Sequence, residues 1–166
     1  MGYPNGFLET RAIVKPGSYA VIPPEGRVIN SIPGFEGCRL SIIMSPKVGE
    51  VEAKGRTTAP FVADNKVETF LFVMDGRGEL RVTVGKQTET LKPGGYAFAP
   101  PDEGIEFENA SGAPVRVLLY KQRYVPLGNL KPWRVFGHIS AIDEVIYDEM
   151  ENVFLRDLLP NDPAFD

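Results

Sequence analysis

The chain has 166 residues, 43% of them hydrophobic and 24% charged, with a formal net charge of −4 at pH 7. That length suits one domain, or one domain and a fragment of another, in a soluble globular protein. The acidic balance argues against a nucleic-acid partner, which calls for a basic face, and the single cysteine excludes an intramolecular disulfide framework and fits a reducing compartment. The opening Met1-Gly-Tyr-Pro-Asn-Gly has neither the charged nor the apolar region of a signal peptide. No apolar run approaches the ~20 residues that span a bilayer. The expected location is the cytoplasm.

Glycine and proline punctuate the chain rather than clustering, and short segments of strand character lie between them. Arg39-Leu-Ser-Ile-Ile-Met44 is an apolar run that stops at Ser45-Pro46. Glu68-Thr-Phe-Leu-Phe-Val-Met-Asp-Gly76-Arg-Gly78 is a strand that breaks into a glycine turn. In Leu80-Arg-Val-Thr-Val84, Leu80, Val82 and Val84 share one face and Arg81 and Thr83 the other, the period of a half-buried strand. Gly85-Lys86 reads as a hairpin tip leading into Gln87 to Leu91. Lys92-Pro-Gly-Gly95 is a turn, Tyr96 to Ala99 a short strand, and Pro100-Pro101 a stop. Ile105 to Glu108 alternates, Ser111-Gly112 turns, and Val115 to Tyr120 returns as a strongly apolar strand. Lys121-Gln-Arg123, the nearest approach to a basic patch, reads as that strand's solvated end.

Beyond Tyr124 the texture changes. Val125 to Trp133 is rich in proline and glycine, as a surface linker is. Ser140-Ala-Ile-Asp143 resembles a capping box and predicts one helical turn. Asn152 to Leu159 is apolar and ends at Pro160. The expected organisation is therefore a β-barrel over 1–124, a linker over 125–149, and over 150–166 the opening segment of a second barrel. Many short strands with frequent turns predict an all-β sandwich or barrel.

Two segments carry a more specific pattern, Glu68 to Gly78 and Gly94 to Asn109. They resemble the two motifs of cupins, all-β jelly-roll barrels. Cupins place two histidines and a glutamate ahead of the first motif's turn glycine, and a third histidine four residues before an asparagine in the second. Counted from Gly76 and Asn109, those metal-ligand positions fall on Val62, Asp64, Thr69 and Ile105. A first-row metal would normally find imidazole and carboxylate there. The chain's only histidine, His138, is elsewhere, and Asp64 alone offers too few donors. No metal ligand, cofactor-binding residue or catalytic residue is expected within the chain.

The resemblance extends to one cupin family in particular. Thr10-Arg-Ala-Ile-Val-Lys-Pro-Gly, Pro33-Gly-Phe-Glu-Gly-Cys38, Glu68-Thr-Phe-Leu-Phe-Val, Gly94-Gly-Tyr-Ala-Phe-Ala-Pro-Pro, Tyr120-Lys-Gln-Arg-Tyr-Val-Pro126 and Asp157-Leu-Leu-Pro160 are similar to the N-terminal half of the bacterial (S)-ureidoglycine aminohydrolases, two-cupin enzymes of allantoin breakdown. The resemblance implies hydrolysis of (S)-ureidoglycine to (S)-ureidoglycolate and ammonia at a manganese ion. It implies a metal-free first barrel, with that manganese in a second cupin beyond Asp166, and a homo-oligomer whose small-molecule substrate needs the second cupin. The competing reading is a stand-alone, non-enzymatic cupin that holds a small organic anion in its barrel against residues such as Arg81.

The remaining candidates read as structural. His138 is expected to pack or to face solvent, and Cys38, with no histidine nearby in sequence, to be a small buried thiol. Glu68 stands one residue before a ligand position, which turns its side chain to the opposite face of the strand. Trp133 is expected to pin the linker to the barrel. The acids Asp143, Glu144, Asp148, Glu149 and Glu151 form a solvated face. Val153, Phe154, Leu155, Leu158 and Leu159 are expected to lie uncovered and to drive association.

Overall fold

The turn signals divide the chain much as alternation predicts, and a computed structural model describes residues 13–15, 19–21, 23, 27–44, 48–61, 66–126 and 128–165. Two short strands, β1 (Ile13–Lys15) and β2 (Tyr19–Val21), pair with each other. The main sheet has ten strands among the described residues. They are β3 (Ile29–Asn30), β4 (Phe35–Met44), β5 (Val48–Thr57), β6 (Val67–Gly76), β7 (Leu80–Val84), β8 (Gln87–Leu91), β9 (Gly95–Ala99), β10 (Ile105–Glu108), β11 (Val115–Arg123) and β12 (Val135–His138). Their order is β12-β9-β6-β11-β5-β10-β7-β8, and the β3-β4 pair joins at β5. Every pairing described is antiparallel. This is the all-β jelly-roll barrel expected from the motifs.

Alternation decides which side chains fill the interior. Leu71 and Val73 of β6, Leu80, Val82 and Val84 of β7, Ile105 and Phe107 of β10, and Val115, Val117 and Leu119 of β11 form one core. Burying each of the larger ones contributes about 1.5–3 kcal/mol. Strand β8 keeps Gln87 to Thr90 exposed, and polar, charged side chains on an outer strand discourage pairing with another chain.

Strand β9 breaks the half-buried pattern, being buried throughout. Ala97 and Ala99 belong to the core. On its other face Tyr96 stacks on Phe70, with ring centroids 5.7 Å apart. Phe98 meets Phe165 from the chain's end at 5.4 Å. A third layer therefore lies over this part of the sheet.

Segment 125–149, expected to be a linker, contains β12, which extends the main sheet along β9 from Val135↔Phe98 to His138↔Gly95. Gly137 permits the contact: a Cβ there would stand 2.3 Å from the Tyr96 hydroxyl oxygen. The predicted helical turn exists as one turn of 3-10 helix, Ile139–Ala141. Its cap is His138 rather than Ser140, because the imidazole accepts the Ser140 N–H. Two further short strands, β13 (Val145–Ile146) and β14 (Phe154–Leu155), make a separate ribbon.

The apolar tail divides. Val145, Ile146, Tyr147, Met150, Val153, Phe154 and Leu155 of the ribbon are each at least 39% exposed. Leu158 and Leu159, expected to be uncovered as well, are half-buried, and Ala164 is buried. Trp133 meets Phe165 edge-on at 4.6 Å while remaining 47% exposed, so it holds the tail as well as the linker. The tail folds back across the barrel.

Candidate functional site

Of the four positions where cupins keep metal ligands, Val62 and Asp64 lie outside the described residues. The other two face the interior. Thr69 is 1% exposed, on β6 between Ala99 of β9 and Lys121 of β11. Ile105 is fully buried at the start of β10, and its backbone exchanges hydrogen bonds with Phe61. A threonine hydroxyl and an isoleucine do not supply the donors a first-row metal takes. Among the described residues no three His, Cys, Asp or Glu side chains come together as a metal would need. The described residues at these positions do not fit a cupin metal.

The motif asparagine still has work of another kind. Asn109 is 4% exposed, and its amide nitrogen donates to the carbonyls of Ala53 (2.8 Å) and Ala113 (2.6 Å). Its amide oxygen accepts from the backbone N–H of Ser111 (3.0 Å) and from the Ser111 hydroxyl (2.6 Å). One side chain thus ties the end of β10 to β5 and to the turn before β11, and its polar atoms are satisfied in place. Gly76 lies where the first motif ends, at a φ of 135°, and a Cβ there would stand 2.7 Å from the Pro114 carbonyl oxygen. The fold-specifying half of both motifs survives.

Lys121 is the interior residue that the sequence reading missed. Read as part of a solvated strand end, it instead continues the inward face of Val115, Val117 and Leu119 and is half-buried. Its ammonium nitrogen sits 5.9 Å from the centre of the Phe61 ring. The signal was the alternation itself, followed two residues further. Next to it, the Thr69 hydroxyl is sealed from solvent and has no hydrogen-bond partner among the described residues.

Arg81, the expected anion holder, is exposed and ion-paired with Glu108. It lines an outer cleft of about 290 Å³ with Arg56, Thr58, Thr83 and Glu106, not the barrel interior. Glu68 faces away from the core, as its position next to Thr69 predicts. It lines an apolar groove of about 290 Å³ with Phe70, Phe98, Tyr120, Leu158 and Leu159. Burial pushes its carboxyl above the usual range.

Cys38 is buried in the core. Burial raises its thiol, against a smaller opposing effect of hydrogen bonds from the Gly55 and Lys54 backbone, and its Sγ donates to the Glu36 carbonyl at 3.3 Å. Both ring nitrogens of His138 are engaged, Nδ1 by the Ser140 N–H (3.1 Å) and Nε2 with the Pro93 carbonyl of the turn before β9 (2.9 Å). A thiol held in its neutral form and a histidine with both ring nitrogens engaged in hydrogen bonds do not make a nucleophile and base.

Comparison with known proteins agrees with this architecture. The family model described as "Cupin domain" matches residues 50–120. The chain is 36% identical, over 99% of its length, to an Escherichia coli K12 protein, (S)-ureidoglycine aminohydrolase, and covers 65% of that protein. The crystal structure of protein Ylba from E. coli superposes with a TM-score of 0.83 at 35% identity, covering 99% of this chain and 67% of that one. A solved protein of Pseudomonas aeruginosa described as glyoxylate-induced superposes with a TM-score of 0.70 at 25% identity, over 90% of this chain and 58% of that one.

Proposed function

Because the chain belongs to the (S)-ureidoglycine aminohydrolase family of cupins, we propose that it is the structural half of such an enzyme. In this reading the chain supplies a packed, metal-free barrel. The catalytic manganese cupin lies beyond Asp166, and the reaction takes ureidoglycine and water to ureidoglycolate and ammonia. The observation that carries the reading is the extent of the similarity, which runs through 99% of the chain, tail included, yet accounts for 65% of the relative. The positions Thr69 and Ile105 support it, since neither side chain is a donor that a first-row metal normally takes in place of its waters.

The exposed apolar ribbon of β13 and β14 supports an assembly role. We propose that it packs against the second cupin or another protomer of a homo-oligomer, in the cytoplasm. The competing function, a stand-alone barrel binding an organic anion, loses Arg81 as its holder because that side chain is paired on the outer face.

The test is reconstitution. Ureidoglycine would be generated in situ from allantoate and ammonia release followed, with this chain alone and with the downstream reading frame supplied in cis or in trans. The expected result is no enzyme-dependent release from the chain alone and manganese-dependent release once the second cupin is present. Hydrolysis by the homogeneous chain alone, or a downstream frame without cupin ligand motifs, would overturn the proposal.

A further inference from the structure

We propose that Lys121 and Thr69 form an anion site inside this barrel, and that its ligand is a small monocarboxylate. Strand pairing sets Lys121 directly opposite Thr69, and directly opposed residues of an antiparallel pair project from the same face as close neighbours. That face is the interior: Leu71 and Leu119, two residues away on each strand, belong to the core. On the other side of Thr69 the partner is Ala99, whose side chain takes up little room.

Among the described residues, two groups at this spot lack the partner their chemistry calls for. The Thr69 hydroxyl is buried without a hydrogen bond, which costs free energy unless something accepts from it or donates to it. Lys121 is half-buried and inward-facing, and its one described contact is the Phe61 ring; the residues before it on that face, Val115, Val117 and Leu119, are apolar. A cation over an aromatic face gains less than one that also meets a carboxylate.

Ligand class follows from the donors. One ammonium and one hydroxyl on neighbouring strands match the single negative charge and two oxygens of a carboxylate. A phosphate dianion would leave charge uncompensated with a single lysine. The neighbours that the ring contact and strand pairing bring here, Phe61, Ile105 and Ala99, are apolar and suit a short apolar substituent on that carboxylate. Because the Thr69 hydroxyl is sealed, a ligand reaches it only when neighbouring side chains move, and the flexible four-carbon stem of Lys121 can do so. This site is independent of the hydrolase reading, since binding is assayed with no ureidoglycine present.

The experiment is an NMR titration of the chain with sodium acetate, ionic strength held constant with sodium chloride. Saturable shifts are expected at the Thr69 methyl and the Phe61 ring. Lys121→Met keeps the apolar stem and should weaken binding at least about tenfold, Lys121→Arg should retain it, and Thr69→Val should weaken it while leaving the unliganded barrel folded. Shifts that do not saturate, a titration unchanged in Lys121→Met, or effects confined to the exposed Arg81 and Arg116 would overturn the proposal. Near-UV circular dichroism of each variant separates lost binding from lost folding, and Lys121→Arg decides the matter if Lys121→Met is unfolded.

Discussion

Leu80 has no exposed surface, and the interior around it is filled by side chains from seven other strands of the main sheet. Leu80→Ala is expected to cost about 2–5 kcal/mol, read as a lower urea midpoint with an unchanged slope. Glu68 points the other way in effect. Its carboxyl is raised by desolvation, so the folded chain holds that proton more tightly than the unfolded one. The penalty is absent in acid, appears as pH climbs through the ordinary carboxylate range, and is complete once the folded value is passed. Glu68→Gln should therefore stabilise the protein at neutral pH and have no effect below pH about 3. A Tm difference that grows toward acid would contradict this assignment. Asp75 behaves oppositely, since its hydrogen bond and charge pairing with Arg116 lower it; its small stabilisation holds at neutral pH and disappears as pH falls. Most of these residue roles were legible from period-two alternation, which placed Leu80, Val82 and Val84 inside and Glu68 outside. Lys121 was not, because a basic triplet at a strand's end reads as solvated unless the inward register is carried through it.

Strand β12 and the returning tail show where sequence reasoning lost elements. Val135-Phe-Gly-His138 is too short to display a period, and proline and glycine on its N-terminal side suggest a linker. What makes it a strand is tertiary: β9 has an unpaired side, and Gly137 lets the backbone pass over Tyr96. Gly137→Ala is expected to cost about 1–3 kcal/mol through overpacking, with faster hydrogen exchange at 135–138 than in the wild type. Protection in β7 and β10 should remain. The tail is held more lightly. Trp133→Ala removes the edge-on contact to Phe165, an aromatic pair worth about 0.5–1.5 kcal/mol. Exchange at Ala164 and Phe165 should accelerate while the barrel's urea midpoint moves little; a collapse of the whole barrel would mean that the tail is part of its folding unit. The exposed residues Val153, Phe154 and Leu155 were foreseen as uncovered, whereas Leu158 and Leu159 were not foreseen as covered, because no local pattern marks the outer face of β6 and β9 as a place to dock.

On the scale of the whole molecule, the unburied ribbon is the feature that speaks to assembly. Ile146 and Phe154 oppose each other across β13 and β14 and are 61% and 56% exposed. Light scattering after size exclusion should report a dimer or larger at micromolar concentration. The double variant Ile146→Glu with Phe154→Glu should lower that mass without altering the barrel's spectrum; a wild-type monomer throughout that range would dismiss the ribbon as an interface. The jelly-roll class was legible in full, because turn spacing and glycine positions specify it even where the metal ligands are gone. The order of synthesis adds a consequence of its own. Gly95–Ala99 leaves the ribosome long before Val135–His138, and at typical elongation rates the delay is roughly 2–8 s. During that interval β9, apolar on both faces, can pair with β6 along one edge, while the backbone donors and acceptors of its other edge have no strand beside them. Nascent chains crowded on one messenger present that same vacant edge to one another, so the yield of correctly folded protein should depend on how quickly the ribosome traverses the stretch that ends at His138.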